Sequence, residues 1–350
     1  MRRSGYRDER GRRSVPVATA VSLTLLAAAC TGADASDDRV AAPAAPAASG
    51  PAAPAPAPVD PASVHADELG AVPVLMYHQL LARPKGDYDQ TPAQFRAEIT
   101  ALYQHGYRTT TAADLVAGRI GVPAGKKPVV LTFDDATVSQ FGELPDGSVD
   151  PASAVGILLA VAKAHGEDHP VATFYVNAGP FAGKDAYLAK LTDLGMEVGE
   201  HTATHANLRS LSDAGVQSEL AKGLGVITAA VPGAKVTTMA LPFGVRPRNK
   251  ALAAKGRSGG TAYDFGGVLL VGSNPAPSPY SVRFDPMNVP RVRSGLRTGD
   301  QTFTSTDWLP KLYAGKVRPF VSDGDPQTVA FPKAERTSLA PSFAGRARPY

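Results

Sequence analysis

Three short stretches of the chain hold side chains that could do chemistry together: Thr132-Phe133-Asp134-Asp135, His201-Thr202-Ala203-Thr204-His205 and Met76-Tyr77-His78. Two adjacent acids follow the apolar run Pro128-Val129-Val130-Leu131-Thr132-Phe133. Asp135, His201 and His205 form a ligand set of one carboxylate and two imidazoles, which leaves positions on a divalent metal open for water and substrate. Water acidified in this way still needs a base, and Asp134 is the acid left free for it. If residues 201–205 open a helix, the two imidazoles share a face one turn apart; a loop would also let them converge. Taken alone, the acid pair also fits a solvated turn, a helix cap or a magnesium–phosphate site. The last of these would call for oxygen ligands rather than two histidines.

These residues need elements that bring them to one place. Residues 72–77 and 127–133 read as buried strands, and residues 171–176, 196–198, 236–240 and 261–271 as further strands. Helices are expected between them. One is capped by Gln90 or Thr91 and carries Phe95, Ile99 and Leu102. A second starts at Asp150-Pro151 and runs to about residue 165. A third spans residues 184–194 with Gly195 as its C-cap, and a fourth runs from a Ser212 cap to residue 230. A short helix is expected near Lys250. Alternating strands and helices predict an α/β fold with a parallel sheet and crossover helices. His78, Asp134, Asp135, His201 and the turn Pro242-Phe243-Gly244 then all fall just past strand ends, where βα loops gather.

The 350 residues are 43% hydrophobic, enough for one large domain or two ordinary ones. Of the 36 basic and 32 acidic residues, Arg2, Arg3, Arg7, Arg10, Arg12 and Arg13 lie at the start, beside only Asp8 and Glu9. The remainder is charge-balanced, which gives no electrostatic reason to expect nucleic acid. The basic start leads into an apolar stretch, residues 15–29, shorter than the ~20 residues of a membrane span. It reads as an export signal over residues 1–30. Ala27-Ala28-Ala29-Cys30 resembles a bacterial lipoprotein processing site, which makes Cys30, the only cysteine, the expected lipidation site; ordinary secretion is the alternative. Arg12-Arg13 hints at twin-arginine export. Residues 31–68, rich in Ala and Pro, read as a disordered tether that holds a domain off a membrane. The domain proper is expected over residues 69–316, and residues 317–350 as an irregular C-terminal extension. A monomer outside the cytoplasm, tethered to the cell membrane or secreted, is expected.

Thr132-Phe133-Asp134-Asp135 and the His201…His205 pair resemble the polysaccharide deacetylases of carbohydrate esterase family 4, over about residues 70–310. The resemblance implies a distorted (β/α) barrel, Asp134 as base, and Asp135, His201 and His205 as ligands of a divalent metal ion, with zinc the expected one. It also implies a polysaccharide as substrate and removal of acetyl groups from its N-acetylated sugars as the reaction. O-deacetylation of xylan-like glycans, or glycan binding without catalysis, are the other readings.

The resemblance has gaps. The family's Arg-x-Pro-Tyr turn appears as Ala240-Leu241-Pro242-Phe243, without the arginine that orients the base; Arg246 or Arg291 is expected in its stead. The turn could still offer the Phe243 backbone N–H to an oxyanion. The family's late Leu-His-Asp motif is absent, because no histidine follows His205. Val74-Leu75-Met76-Tyr77-His78 resembles the start of a permuted branch, the exopolysaccharide N-deacetylases, and that likeness implies His78 as general acid. Ser305-Thr306-Asp307-Trp308 resembles the family's groove motif, so Trp308 is expected either against a sugar face or in the core. Pro242, Tyr280 and Arg291 are also expected to line the cleft. His65, His105, His165 and His169 are expected at the surface.

Overall fold

The computed structural model describes residues 59–294 and 303–350. The stretch expected as an export signal, Cys30 and most of the expected tether lie outside the described residues. No helix among the described residues is long and apolar enough to cross a membrane.

The strands in chain order are β1 (Val74–Tyr77), β2 (Tyr107–Thr110), β3 (Lys127–Asp134), β4 (Thr173–Val176), β5 (Glu197–Glu200), β6 (Thr238–Ala240), β7 (Lys255–Ser258), β8 (Thr261–Asp264), β9 (Gly267–Leu269), β10 (Val292–Arg293), β11 (Val329–Phe331) and β12 (Ala347–Pro349). The helices are α1 (Pro92–Gln104), α2 (Ala112–Ala117), α3 (Ala154–Ala164), the single turn α4 (Pro180–Gly183), α5 (Ala186–Asp193), α6 (Asp213–Ala230) and α7 (Ser305–Tyr313).

The main sheet is parallel throughout, in the order β10-β1-β3-β4-β5-β6-β9, with β2 paired to the first half of β3. It curls on itself. The Val289 N–H donates to Val268 O, and the Val289 carbonyl accepts from Leu270 N–H. Three residues later Val292 pairs with Leu75 of β1. Segment 289–293 thus bonds to β9 on one side and β1 on the other, and the distorted (β/α) barrel expected from the sequence is borne out. Successive strand residues face two apolar layers, as the pleat requires. Leu75, Leu131, Phe133 and Phe174 pack beneath helices α1, α3 and α5. Val74, Val130, Tyr175, Ala240 and Leu269 face the other cluster.

Local chemistry explains the helix starts. Thr91 rather than Gln90 caps α1, in a reciprocal capping box with Gln94 and with Pro92 in the first turn. Phe95, Ile99, Leu102 and Tyr103 form its buried stripe. Ser212 caps α6, as expected. Asp150-Pro151 does not start α3. Asp150 bonds Ala152 N–H in a local turn, and Ser153 caps the helix three residues later. The single strand expected over residues 261–271 is two. Gly259 and Gly260, both with positive φ, close a hairpin of β7 on β8, and the chain re-enters the sheet only at Gly267.

Both ends of the described chain correct the expected domain limits. Within residues 59–68, assigned to the tether, Pro61 and residues 66–68 are buried. Asp60 caps a 3₁₀ turn at Pro61–Val64, Asp67 bridges Val321, and the Glu68 N–H donates to Ala330 O. Residues 317–350, expected as irregular, place Phe320, Val329 and Phe331 in the apolar cluster of Val74 and Val130 and pair β11 with β12. At Gly70 a Cβ would fall 2.2 Å from Pro319 O, so only glycine allows this closeness.

The two termini are joined at a buried carboxyl. Glu68 accepts from Ala330 N–H at 2.8 Å and faces Ser322 and Asp323, itself buried. Burial first, and then the Asp323 charge, push the Glu68 carboxyl from its ordinary 4.5 up to about 8. The folded state therefore holds a proton there that the unfolded chain releases near 4.5. The stabilisation is complete below that pH and is lost as pH rises to about 8. Glu68→Gln should raise the melting temperature at pH 8 and flatten its pH dependence between 5 and 8, as read by thermal unfolding followed by circular dichroism.

Candidate active site

The residues picked out at strand ends meet at one rim of the barrel. Asp134 ends β3 and Asp135 follows it; His201 follows β5; His78 follows β1; Phe243 lies in the turn after β6. His78, Asp134, Asp135, His201, His205 and Phe243 line one cavity of about 230 Å³, with Tyr88, Leu241 and Val271. Eight described non-glycine residues have left-handed backbones, and five belong to this rim: Asp135, Ala136, Thr202, His205 and Phe243. Backbone strain of this kind, on the order of 1–3 kcal/mol per residue, persists only where the surroundings impose it.

The histidine pair lies on a loop, not on a helix. Thr202 and His205 have φ of 62° and 53°. Asn177 holds the loop by donating to the His201 and Thr202 carbonyls, and Glu200 accepts from Thr202 N–H at 2.9 Å. His201 Nδ1 lies 2.8 Å from Ala240 O. A carbonyl can only accept, so Nδ1 carries the proton and Nε2 presents its lone pair. That Nε2 is buried and has no hydrogen-bond partner. Burial, the largest influence, lowers the His201 pKa against the pull of Asp134 and Asp135 and favours the neutral ring.

Asp135 Oδ1 lies 3.6 Å from His201 Nε2 and 3.6 Å from His205 Nε2, and ligand atoms of the three residues lie within 4.8 Å of one another. Donors bonded to one ion at roughly 2.0–2.2 Å sit about 3–4 Å apart. An unpartnered buried imidazole nitrogen, a second imidazole and a carboxylate therefore fit a divalent ion in number, chemistry and spacing.

Asp134 has another environment. Its side chain is 3% exposed and accepts two bonds from Arg291, Nη1 to Oδ1 at 2.7 Å and Nη2 to Oδ2 at 2.8 Å. Burial alone would raise its pKa, but Arg291, then His201 and His78, hold it well below the usual carboxylate range. Asp134 Oδ2 still faces the cavity, 3.9 Å from both His78 Nε2 and His201 Nε2. Burial is also the largest influence on His78 and lowers its pKa. Gln140, fully buried, donates to the His78 and Asp134 carbonyls and ties the ends of β1 and β3 together.

Other expected contacts fall elsewhere. Arg291 is fully buried, so it holds Asp134 rather than lining the cleft for substrate, and it is the arginine that stands in for the missing one. Arg246 instead bonds Asn288. Tyr280 is buried against Phe320 and Phe343, because its loop pairs through Ala276 with Val72. Trp308 donates its indole N–H to Ser273 O and lines a separate cavity of about 300 Å³ with Asn274, Pro275 and Arg318. Pro242 is buried and sets the turn, while Phe243 is 61% exposed with its ring 4.6 Å from that of His205. Of the histidines expected at the surface, His65, His105 and His169 are exposed, and His165 is half-buried against Tyr103. Sequence reasoning missed Tyr88, Asn177 and Gln140, which have no motif of their own.

A curled parallel barrel thus brings a carboxylate and two imidazoles together at its strand ends. Residues 121–258 match the family model described as polysaccharide deacetylase. Among solved structures it is similar to the Bacillus anthracis protein BA0330, at 20% identity over 71% of this chain and 69% of that one, with a TM-score of 0.51. It is also similar to the Streptococcus pyogenes deacetylase PplD, at 15% identity over 69% of this chain and 97% of that one, TM-score 0.49. IcaB from Ammonifex degensii matches at 22% identity over 70% and 96%, TM-score 0.45. No curated protein matches the chain.

Removing one partner of a buried ion pair leaves an uncompensated charge and destabilises by roughly 3–5 kcal/mol. Arg291→Met should lose stability of that order in urea unfolding, and adding Asp134→Asn should restore part of it. If Arg291→Met unfolds at the wild-type urea concentration, the pair does not hold the site.

Proposed function

We propose that the chain is a metal-dependent deacetylase that cleaves the amide of N-acetylated sugars in a cell-surface or extracellular polysaccharide. One observation carries the reading. The ligand atoms of Asp135, His201 and His205 converge around an unpartnered His201 Nε2, beside a separately clamped carboxylate and a second basic side chain.

Asp135, His201 and His205 would hold the ion. When bound, it supplies Lewis-acid chemistry, making water more acidic and polarising the acetyl carbonyl. The rest falls to the chain's own residues. Asp134, kept ionised by Arg291, accepts a proton from the attacking water as the new C–O bond forms. The turn after β6 uses Gly244 N–H to Leu241 O and Val245 N–H to Pro242 O, which leaves the Phe243 N–H outside both bonds and available to the oxyanion. His78 starts neutral, since burial lowers its pKa. It stands 3.9 Å from Asp134 Oδ2. The proton taken by Asp134 passes to His78 and from there to the departing amine nitrogen as the C–N bond breaks. Acetate and a free amino sugar result.

Asp134→Asn and His78→Ala should each lose about 10²–10⁴-fold in acetate release from N-acetylglucosamine oligomers, while metal content by elemental analysis stays at the wild-type level. Asp135→Asn should lose the metal as well. Acetate release from acetylxylan but not from these oligomers would replace the amidase reading by an esterase one, and stoichiometric glycan binding without acetate release would make the chain a binding protein.

The lipoprotein-like stretch ending at Cys30 supports a membrane tether through a lipidated cysteine. Cys30→Ser should move the protein from the membrane fraction to the soluble fraction. Equal partition of the two forms would point to a secreted protein.

A further inference from the structure

We propose that Tyr88 is a specificity-determining residue, the aromatic wall on which the sugar ring rests while its acetyl group enters the cavity. The inference deepens the deacetylase reading, because it names the side chain that recognises the ring.

Tyr88 belongs to the loop between β1 and α1, and it lines the same cavity as the ligand trio. The loop is tied at its base, where Leu81 N–H donates to Gln90 O and Gln90 N–H to Gln79 O. It is tied again near its tip, where Asp89 Oδ2 accepts from Lys85 N–H at 2.8 Å and Gly86 N–H at 3.2 Å. Tyr88 is thereby held out from the barrel, 38% exposed. Its ring centre lies 4.8 Å from that of His78, and the Arg293 guanidinium carbon lies 5.1 Å from the ring centre. Arg293 also lies 3.7 Å from Asp87. The ring thus has Arg293 over one face and His78 beside it.

Phe243 lines the same cavity on the His205 side, so exposed rings stand beside both the ligand pair and His78. A pyranose presents an apolar C–H face that suits such a surface. The cavity, about 230 Å³, lies below the roughly 300–1,000 Å³ of pockets for drug-sized ligands. It takes one sugar ring with its acetyl group, and the rest of the polymer must lie outside. Recognition of that one ring then falls to the side chains at the mouth, and Tyr88 is the one beside His78.

The test uses Tyr88→Ala and Tyr88→Phe in the full chain, with N-acetylglucosamine oligomers and 4-nitrophenyl acetate as substrates and saturation-transfer NMR for oligomer binding. Tyr88→Ala should raise KM and Kd for the oligomers about tenfold, cost far less on the small ester than on the oligomers, and be rescued by Tyr88→Phe. Equal losses on both substrates would mean that Tyr88 only supports His78 and would overturn the proposal. So would oligomer binding that is absent, or identical in wild type and Tyr88→Ala. Oligomer binding that needs Tyr88, in a wild-type protein that releases no acetate, would defeat the deacetylase reading and leave this inference standing.

Discussion

The buried pair of Arg291 and Asp134 is the interaction on which the site and the closure of the barrel both depend. Their side chains are 0% and 3% exposed, so neither charge has water to return to. Each is tolerable in the interior only because the other is there. Arg291 also donates to Leu270 O and to the Thr132 hydroxyl, and that hydroxyl donates to Leu75 O. One guanidinium thus links the residue after β9, β3 and, through Thr132, β1. Segment 289–293, which bonds to β9 and β1, carries this arginine at its centre. A sheet that did not curl would leave Arg291 far from Asp134, and a barrel without the pair would bury a lone charge.

The pair also explains why two adjacent acids have separate work. In a regular strand Asp134 and Asp135 would point to opposite faces. Here β3 ends at Asp134, which turns inward to Arg291, and Asp135 enters the left-handed region with φ of 73°. That turn brings Asp135 Oδ1 equally close to both imidazoles. The arginine occupies Asp134 and leaves Asp135 to the histidines, so the two carboxylates differ in environment although they are neighbours in sequence. Asp134 is held ionised by a fixed cation, whereas burial, the largest influence on Asp135, raises its pKa.

Much of this was legible in the sequence because its signals are local. The apolar run before Asp134 marked β3, the Thr91 cap marked α1, and the rule that βα loops carry function gathered His78, Asp134, His201 and Phe243 at one rim. What failed was long-range. Tyr280 looks like an exposed ring in a proline-rich loop, but that loop pairs with Val72 at the other end of the domain. Trp308, expected against a sugar face or in the core, packs partly buried against the core, with its indole N–H on Ser273 O, a contact no motif foretells. Glu68 read as the end of a tether because a single acid gives no sign that residues some 260 positions later will bury it. Asn177 and Gln140 act through backbone carbonyls brought near by the fold, and no spacing announces that.

The departures from the family pattern follow one geometric logic. The missing arginine and the missing late histidine both belong to a ring of strands, and at the rim of a ring what matters is which strand lies beside which. Asp134 ends β3, and the neighbour of β3 on one side is β1, whose next neighbour is β10. His78 follows β1, and Arg291 immediately precedes β10. The cation that holds the acid and the imidazole that faces it therefore arrive from these two successive staves, one near the front of the domain and the other more than two hundred residues later. Chain order differs from the pattern, yet charge, distance and direction around Asp134 are complete. That completeness, more than the survival of any single motif, is the physical argument for the proton transfer proposed at this rim.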